Sequence, residues 1–298
     1  MTAFEYGWGT SNDPSEKFWV RFHPVSHDAM NWKEEVYAAA RAVANTTTKP
    51  LLLFFSGGVD SEVMCRAFFD QGINFSVLTV EYPESLNAHD IKFAKIWCAQ
   101  RAVRQEIVHL DIRDFFKNAI DAYGRDDYVT GNIFRYLQIK LLELAQERGA
   151  YGVLGGWEQL YVVDEGNFEP SVEDVYLDCD VGYAVPLEWC RRNKKEHQPY
   201  FYFSTPELLL SYLRIPLVDH ALNHPKMFRN RTSRFTFKCL NYQTEWLDIK
   251  PRKKFNGFEK VKAEKKAADE RLKQKFTPFL QSYRLYIPEM LKQLSAKK

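Results

Sequence analysis

The residues best placed to do chemistry are Ser56-Gly57-Gly58-Val59-Asp60-Ser61. They follow an apolar run, Leu51 to Phe55, and open an apolar-periodic segment from Val59 to Phe69. A buried strand that ends in a glycine turn and feeds a helix N-terminus presents main-chain N–H groups and the positive end of the helix dipole, which together cradle a phosphate. The glycines let the backbone approach an anion, and the serines supply hydroxyls and a helix cap. The Gly-Lys-Ser/Thr ending of the Walker loop is missing, so this is another kind of phosphate loop. A second glycine pair, Gly155-Gly156, ends the apolar run Tyr151 to Leu154 and is followed by Glu158.

The elements around these residues alternate. Leu51 to Phe55 reads as a strand, Val59 to Gln71 as a helix ended by Gly72, Asn74 to Glu81 as a strand and Ala88 to Ala102 as a helix. Gln105 to Leu110 is a third strand, Asp114 to Tyr123 and Thr130 to Arg148 are helices, and Tyr151 to Leu154 is a further strand. Short apolar strands separated by helices imply α/β architecture, a parallel twisted sheet with helices on both faces. Ligands of such sheets bind at the carboxyl ends of the strands, near the switch in strand order. Both Gly-Gly turns fall on that edge, which puts Asp60 and Glu158 in reach of one ligand.

Outside this domain the pattern is less regular. Phe18 to Phe22 reads as a strand and Met30 to Ala44 as a helix, within an extension (1–49) that covers the nucleotide domain (50–188). Val175-Tyr176-Leu177 and Tyr183-Ala184-Val185 suggest a hairpin. In the C-terminal region (189–298), mostly helical, Thr205-Pro206 starts a helix with Thr205 as cap. Glu259 to Lys275 is a charged helix, and the last helix, Phe279 to Leu294, is interrupted by Pro288.

The hexapeptide resembles the PP-loop of the ATP pyrophosphatase superfamily (adenine nucleotide alpha-hydrolase-like), whose Ser-Gly-Gly-x-Asp-Ser pattern is met at every fixed position. By element order the resemblance covers about residues 50 to 160. It implies a Rossmann-like fold that binds ATP and cleaves it between the α- and β-phosphates, adenylating a substrate. Ser56, Gly57, Gly58 and Ser61 then hold the pyrophosphate and Asp60 holds Mg²⁺. Gly156-Trp157-Glu158-Gln159-Leu160-Tyr161 is similar to the Gly-Ser-Asp-Glu-Leu-Phe segment of asparagine synthetase-like members. That likeness makes Glu158 a second metal ligand and puts Gln159 where a glutamate is usual. The family places adenosine near Val80-Glu81-Tyr82 and Asn87, although Asn87 also reads as a helix cap. It often takes a cation from a C-terminal element, here Lys226 first and Arg231 second.

Charge and cysteine usage bound the substrate. Residues 250–275 hold eleven Lys/Arg against four Asp/Glu, whereas no basic residue lies between Arg148 and Arg191. The basic segment could bind RNA phosphates, but its interleaved acids also suit i, i+4 pairs on a solvated helix. The acidic stretch suits a cationic nucleophile or metal better than a polyanion. Five cysteines in irregular spacing form neither a disulfide framework nor a Cys-x-x-Cys pair, which argues against the thiolating branch. His220 and His224 are four apart, a spacing that alone is a poor zinc site beside Pro225. No signal peptide and no run of about 20 apolar residues is present, so a soluble cytoplasmic protein is expected.

Three functions fit these residues. The first is an ATP-dependent ligase or transferase that adenylates a small-molecule or RNA acceptor for attack by an amine or ammonia. Residues 1–49 are too few for a glutaminase, so ammonia would be free or come from a partner. The second is a tRNA- or nucleotide-modifying enzyme, including sulphur transfer, and the third a non-catalytic ATP/AMP-binding module.

Overall fold

The computed structural model describes residues 2–8, 17–125, 128–156, 160–163, 169–228, 239–250, 252, 255 and 257–295. The chain opens with an antiparallel hairpin, β1 (Phe4–Trp8) and β2 (Phe18–Phe22), with Phe4 opposite Phe22. Helix α1 (Trp32–Asn45) follows, started by Asn31, whose side chain accepts from the Glu34 N–H. The hairpin packs on C-terminal elements: the Phe18 and Phe22 amides donate to Gln281 and Gln293. α1 instead lies against the helix that follows the Gly57-Gly58 loop.

That loop sits in a four-stranded parallel sheet. In chain order come β3 (Leu51–Phe54), α2 (Val59–Asp70), β4 (Phe75–Glu81), α3 (Ala88–Gln100), β5 (Gln105–His109), α4 (Ile112–Tyr123), α5 (Phe134–Glu147) and β6 (Tyr151–Val153). The strands lie side by side as β5-β4-β3-β6, all parallel. α2 and α3 step one way across the sheet, whereas α4 and α5 carry the chain back past β3, so right-handed crossovers cover both faces. This is a Rossmann-like, doubly wound arrangement. β3 is apolar and buried at every residue because it has a neighbour on each side and a helix layer on each face. The strand order reverses between β3 and β6.

The second layer of the molecule is built from the remainder. β7 (Leu160–Val162), β8 (Val175–Asp180) and, near the C-terminus, β9 (Ser282–Tyr286) form an antiparallel sheet in that order. Between them run α6 (Ala184–Arg192), α7 (Pro206–Leu213), α8 (Pro216–Asn223), a helical stretch at 239–245 (α9) and α10 (Lys262–Phe276); α11 (Ile287–Ser295) comes last. One contiguous apolar core links all these parts.

Several elements differ from their sequence pattern. α5 starts at Phe134 rather than Thr130, because the Thr130 and Asn132 side chains bind the Asn132 and Phe134 amides and hold the approach as a turn. Tyr183-Ala184-Val185 is not the second strand of a hairpin; it leads into α6. Pro186 explains this, since it would lose a ladder bond in a strand but sits harmlessly in a first helical turn. The expected last helix is split: residues 282–286 alternate and pair with β8, and Pro288 falls in the first turn of α11. The Thr205 cap on α7 is present as expected, accepting from the Leu208 N–H.

Candidate functional site

The two glycines of the loop do different work. Gly57 has φ +86°, and a Cβ there would stand 1.8 Å from the Asp90 carbonyl oxygen at the start of α3. This position needs glycine for close packing of the chain on itself. Gly58 has φ −73° and ψ 157°, and among the described residues a Cβ there would meet only Ser56 Oγ, at 3.4 Å. Of the two glycines, Gly58 is therefore the one whose face the described residues leave open.

The serines do not cap α2. Ser56 Oγ accepts from the Gly58 N–H (3.3 Å) and lies 3.1 Å from Ser61 Oγ, which in turn donates to the Gly58 carbonyl (2.9 Å). These bonds shape the turn. Among the described residues no side chain caps the helix N-terminus, so its first-turn amides keep the pattern that binds phosphate oxygens. Behind the loop, the Phe55 N–H donates to Leu78 O and Thr79 Oγ1 to Phe55 O (3.0 Å), which ties the end of β3 to β4.

Asp60 is held from distant parts of the chain. The Tyr242 hydroxyl of α9 donates to its Oδ1 (2.5 Å), and the Tyr202 hydroxyl donates to its main-chain carbonyl (2.6 Å). Burial first, and then the Asp60 charge, push both phenols well above their ordinary range, so they stay protonated donors. In the same first turn of α2, Glu62 is buried between two guanidinium groups. Arg66 donates to its Oε1 (2.9 and 2.7 Å), and Arg252 pairs with its Oε2 at 2.6 Å. Arg66 also reaches Asp248 Oδ1 at 2.6 Å.

The Gly155-Gly156 turn follows β6, the parallel neighbour of β3, and so shares the edge of the phosphate loop. Gly156 has φ +58°, with Pro199 O and the Tyr200 ring against it. The Phe201 and Tyr202 amides donate to Leu154 O and Gly155 O, which ties the aromatic segment 200–203 to the end of β6. Glu158, with Trp157 and Gln159, lies outside the described residues, as does Arg231. Lys226 is exposed and pairs with Glu169 at 2.6 Å.

Asn87 sits at the N-cap position of α3 without acting as a side-chain cap. It closes the loop after β4 instead: its Oδ1 accepts from the Tyr82 N–H and its Nδ2 donates to Val80 O, both at 2.9 Å. Between them, Glu84 and Ser85 both have positive φ (56° and 55°). Such backbone strain is commonest beside ligand sites, and this loop is on the carboxyl edge of the sheet.

No family model and no curated protein sequence matches the chain. Among solved structures it is similar to an NH3-dependent NAD synthetase from Campylobacter jejuni, at 13% identity and TM-score 0.35 over 84% of this chain and 94% of that one. An NMN synthetase from Francisella tularensis gives 14% identity and TM-score 0.35 over 82% and 94%. A glutamine-dependent NAD+ synthetase from Acinetobacter baumannii gives 15% identity and TM-score 0.32 over 46% of this chain; the match spans only 30% of that protein. Likeness this slight carries no functional argument, which must come from the loop, the sheet order and the side chains around them.

The side chains that brace the loop do not stand out as candidates in the sequence. Tyr242 is 182 residues from Asp60 and Tyr202 is 142. The one local signal is the aromatic run Tyr200 to Phe203, which marks a buried wall rather than a site. The cysteines contribute nothing here: all five are buried and none forms a disulfide among the described residues. Burial pushes the Cys98 and Cys190 thiols up to about 12 and the Cys65 thiol well above its ordinary value. Among the described residues no group of three or more His, Cys, Asp or Glu could hold a metal by itself, and no helix is long and apolar enough to cross a membrane.

Proposed function

We propose that the protein is an ATP-dependent enzyme of the PP-loop kind, which breaks the α–β phosphate link of ATP to adenylate an acceptor that an amine or ammonia then attacks. The observation that carries this reading is the uncapped N-terminus of α2 behind an open Gly58, at the switch point of a parallel sheet. The donor set suits a pyrophosphate: main-chain amides together with the hydroxyl of Ser56, and that of Ser61 once it turns from the Gly58 carbonyl. Asp60 suits a hard cation, and bound Mg²⁺ would supply charge neutralisation at phosphate oxygens. Glu158, two residues ahead of β7, is the proposed second carboxylate.

The chain's own part is positioning. The amides of the α2 first turn orient the leaving pyrophosphate, so an acceptor oxygen can form a bond to the α-phosphorus as the bond to the bridging oxygen breaks. The amine then forms its bond to the activated carbon, loses a proton, and AMP departs. Lys226 and Arg231 are the proposed cations for the developing phosphate charge, with Lys226 released from Glu169. Thiol chemistry is disfavoured, because thiolate is the reactive form and burial suppresses it here. In α10 several charges are already paired, Lys265 with Asp269, Lys266 with Glu270 and Glu264 with Arg113 of α4, which favours a small-molecule acceptor over RNA.

The test is release of AMP from ATP labelled at the α-phosphate, and of pyrophosphate from ATP labelled at the γ-phosphate, with purified protein, Mg²⁺ and a metabolite or RNA extract. Acceptor-dependent pyrophosphate supports the enzyme. Tight ATP binding with no pyrophosphate under any condition refutes it in favour of a binding module.

A further inference from the structure

We propose that Tyr242 is the positioning residue that fixes the Asp60 carboxylate for its cation. This rests on the proposed function and goes beyond it, because the residue lies in the C-terminal region, 182 positions from Asp60.

The arrangement constrains Asp60 at two points. The Tyr242 hydroxyl donates to Oδ1 at 2.5 Å and limits rotation of the carboxylate, while the Tyr202 hydroxyl donates to the Asp60 carbonyl at 2.6 Å and holds the backbone from which that side chain springs. Tyr242 has no freedom of its own. It is fully buried, and its ring stacks on Trp32 of α1 with centroids 5.1 Å apart and planes 6° from parallel. Trp32 is itself wedged edge-on against Tyr212 and Trp246. A hydroxyl on so rigid a platform orients the carboxylate before any ligand arrives, and preorganised oxygen ligands bind a small, geometry-demanding ion such as Mg²⁺ with less reordering. A phenol needed only to fill the core would do so equally well without its oxygen.

Tyr242→Phe tests this, since it keeps the ring and the stack on Trp32 and removes only the donor. The measurements are urea unfolding without metal, ATP binding in EDTA, and the Mg²⁺ concentration giving half-maximal ATP binding. Wild type, Tyr242→Phe, Asp60→Asn and the double variant are compared. The expected result is a Mg²⁺ midpoint raised at least ~tenfold in Tyr242→Phe, with ATP affinity in EDTA changed less than ~twofold. For Mg²⁺ the double variant should be no worse than Asp60→Asn, because the proposed effect of the hydroxyl on the cation runs through the carboxylate. A Mg²⁺ midpoint close to that of wild type overturns the inference alone. Loss of the fold in Tyr242→Phe makes the hydroxyl structural and also overturns it. If the wild type shows no Mg²⁺-dependent ATP binding, the functional reading fails and the inference with it.

Discussion

Replacing Gly57 and Gly58 by alanine, one at a time, separates the two reasons a phosphate loop has for glycine. At Gly57 the left-handed backbone costs an L-residue roughly 1–2 kcal/mol. The new methyl also falls 1.8 Å from Asp90 O, which is backbone and cannot swing aside. Parting the loop from the start of α3 adds an overpacking cost of about 1–3 kcal/mol. The sum is about 2–5 kcal/mol, which in a chain of this size lowers Tm by roughly 4–20 °C. At Gly58 the conformation is open to alanine, and the one near atom is at ordinary contact distance. The lost cap preference, about 0.5–1 kcal/mol, is offset by a similar stiffening of the unfolded chain. Gly58→Ala should therefore unfold within about 0.5 kcal/mol of wild type. Its methyl occupies the space a phosphate needs, and a clash of about 1.4 kcal/mol weakens ATP tenfold. Urea unfolding and calorimetric titration with Mg²⁺ and ATP read the two effects separately. Wild-type stability in Gly57→Ala would refute the close packing on Asp90. Wild-type ATP affinity in Gly58→Ala would refute the anion's placement.

Other outcomes follow from the same geometry. Asp60→Asn should keep the fold and lose Mg²⁺-dependent ATP binding; unchanged affinity sinks the metal assignment. His197 is buried, its Nδ1 accepts from the Gly152 N–H at 2.9 Å, and burial, then Lys49 and Lys195, depress it from 6.5 to about 4. The native state therefore refuses a proton that the unfolded chain accepts, so stability is full above about pH 6.5 and falls as pH drops toward about 4, by up to about 3 kcal/mol. Urea midpoints measured from about pH 7.5 down to about pH 4.5 should show this slope, and His197→Gln should flatten it. Arg252→Ala leaves Glu62 buried against Arg66 alone and should cost about 3 kcal/mol; a loss below about 1 kcal/mol would place that pair in solvent. Native protein should resist a thiol-specific reagent and expose its five cysteines only in urea, whereas rapid native labelling would reopen sulphur chemistry.

The sequence exposed the parts of the site that are local. The strand, the turn and the helix start around Ser56 to Ser61 are close together in the chain, so residue types and periodicity locate them. The parallel sheet was legible for the same reason, since each strand and helix announces itself by a short apolar run or an apolar stripe. Local signals failed where partners decide. Residues 282–286 carry Tyr, Leu and Tyr in a pattern that suits strand or helix, and only the open edge of β8 makes them a strand. Asn87 has the composition of a cap, yet its side chain spends both ends on the backbone of Val80 and Tyr82. Nothing in the sequence around Tyr242 or Arg252 marks either as a neighbour of α2.

Those distant contacts change what the hexapeptide means. Four residues between 242 and 255 grip α2 and the start of α3: Tyr242 on Asp60, Asp248 on Arg66, Arg252 on Glu62, and the Phe255 N–H on Asp90 Oδ1 at 2.9 Å. Asp90 also lends Gly57 the carbonyl against which the loop is packed. The loop thus lies between a glycine contact that the sheet domain provides and a side-chain girdle that the C-terminal region provides. Cutting the chain after residue 188 would leave the motif whole but strand buried Glu62 and Arg66 with one partner each removed, a costly state for charges. The geometry of the Ser56–Ser61 loop is therefore a property of the joined layers, and the girdle ties the C-terminal region to it.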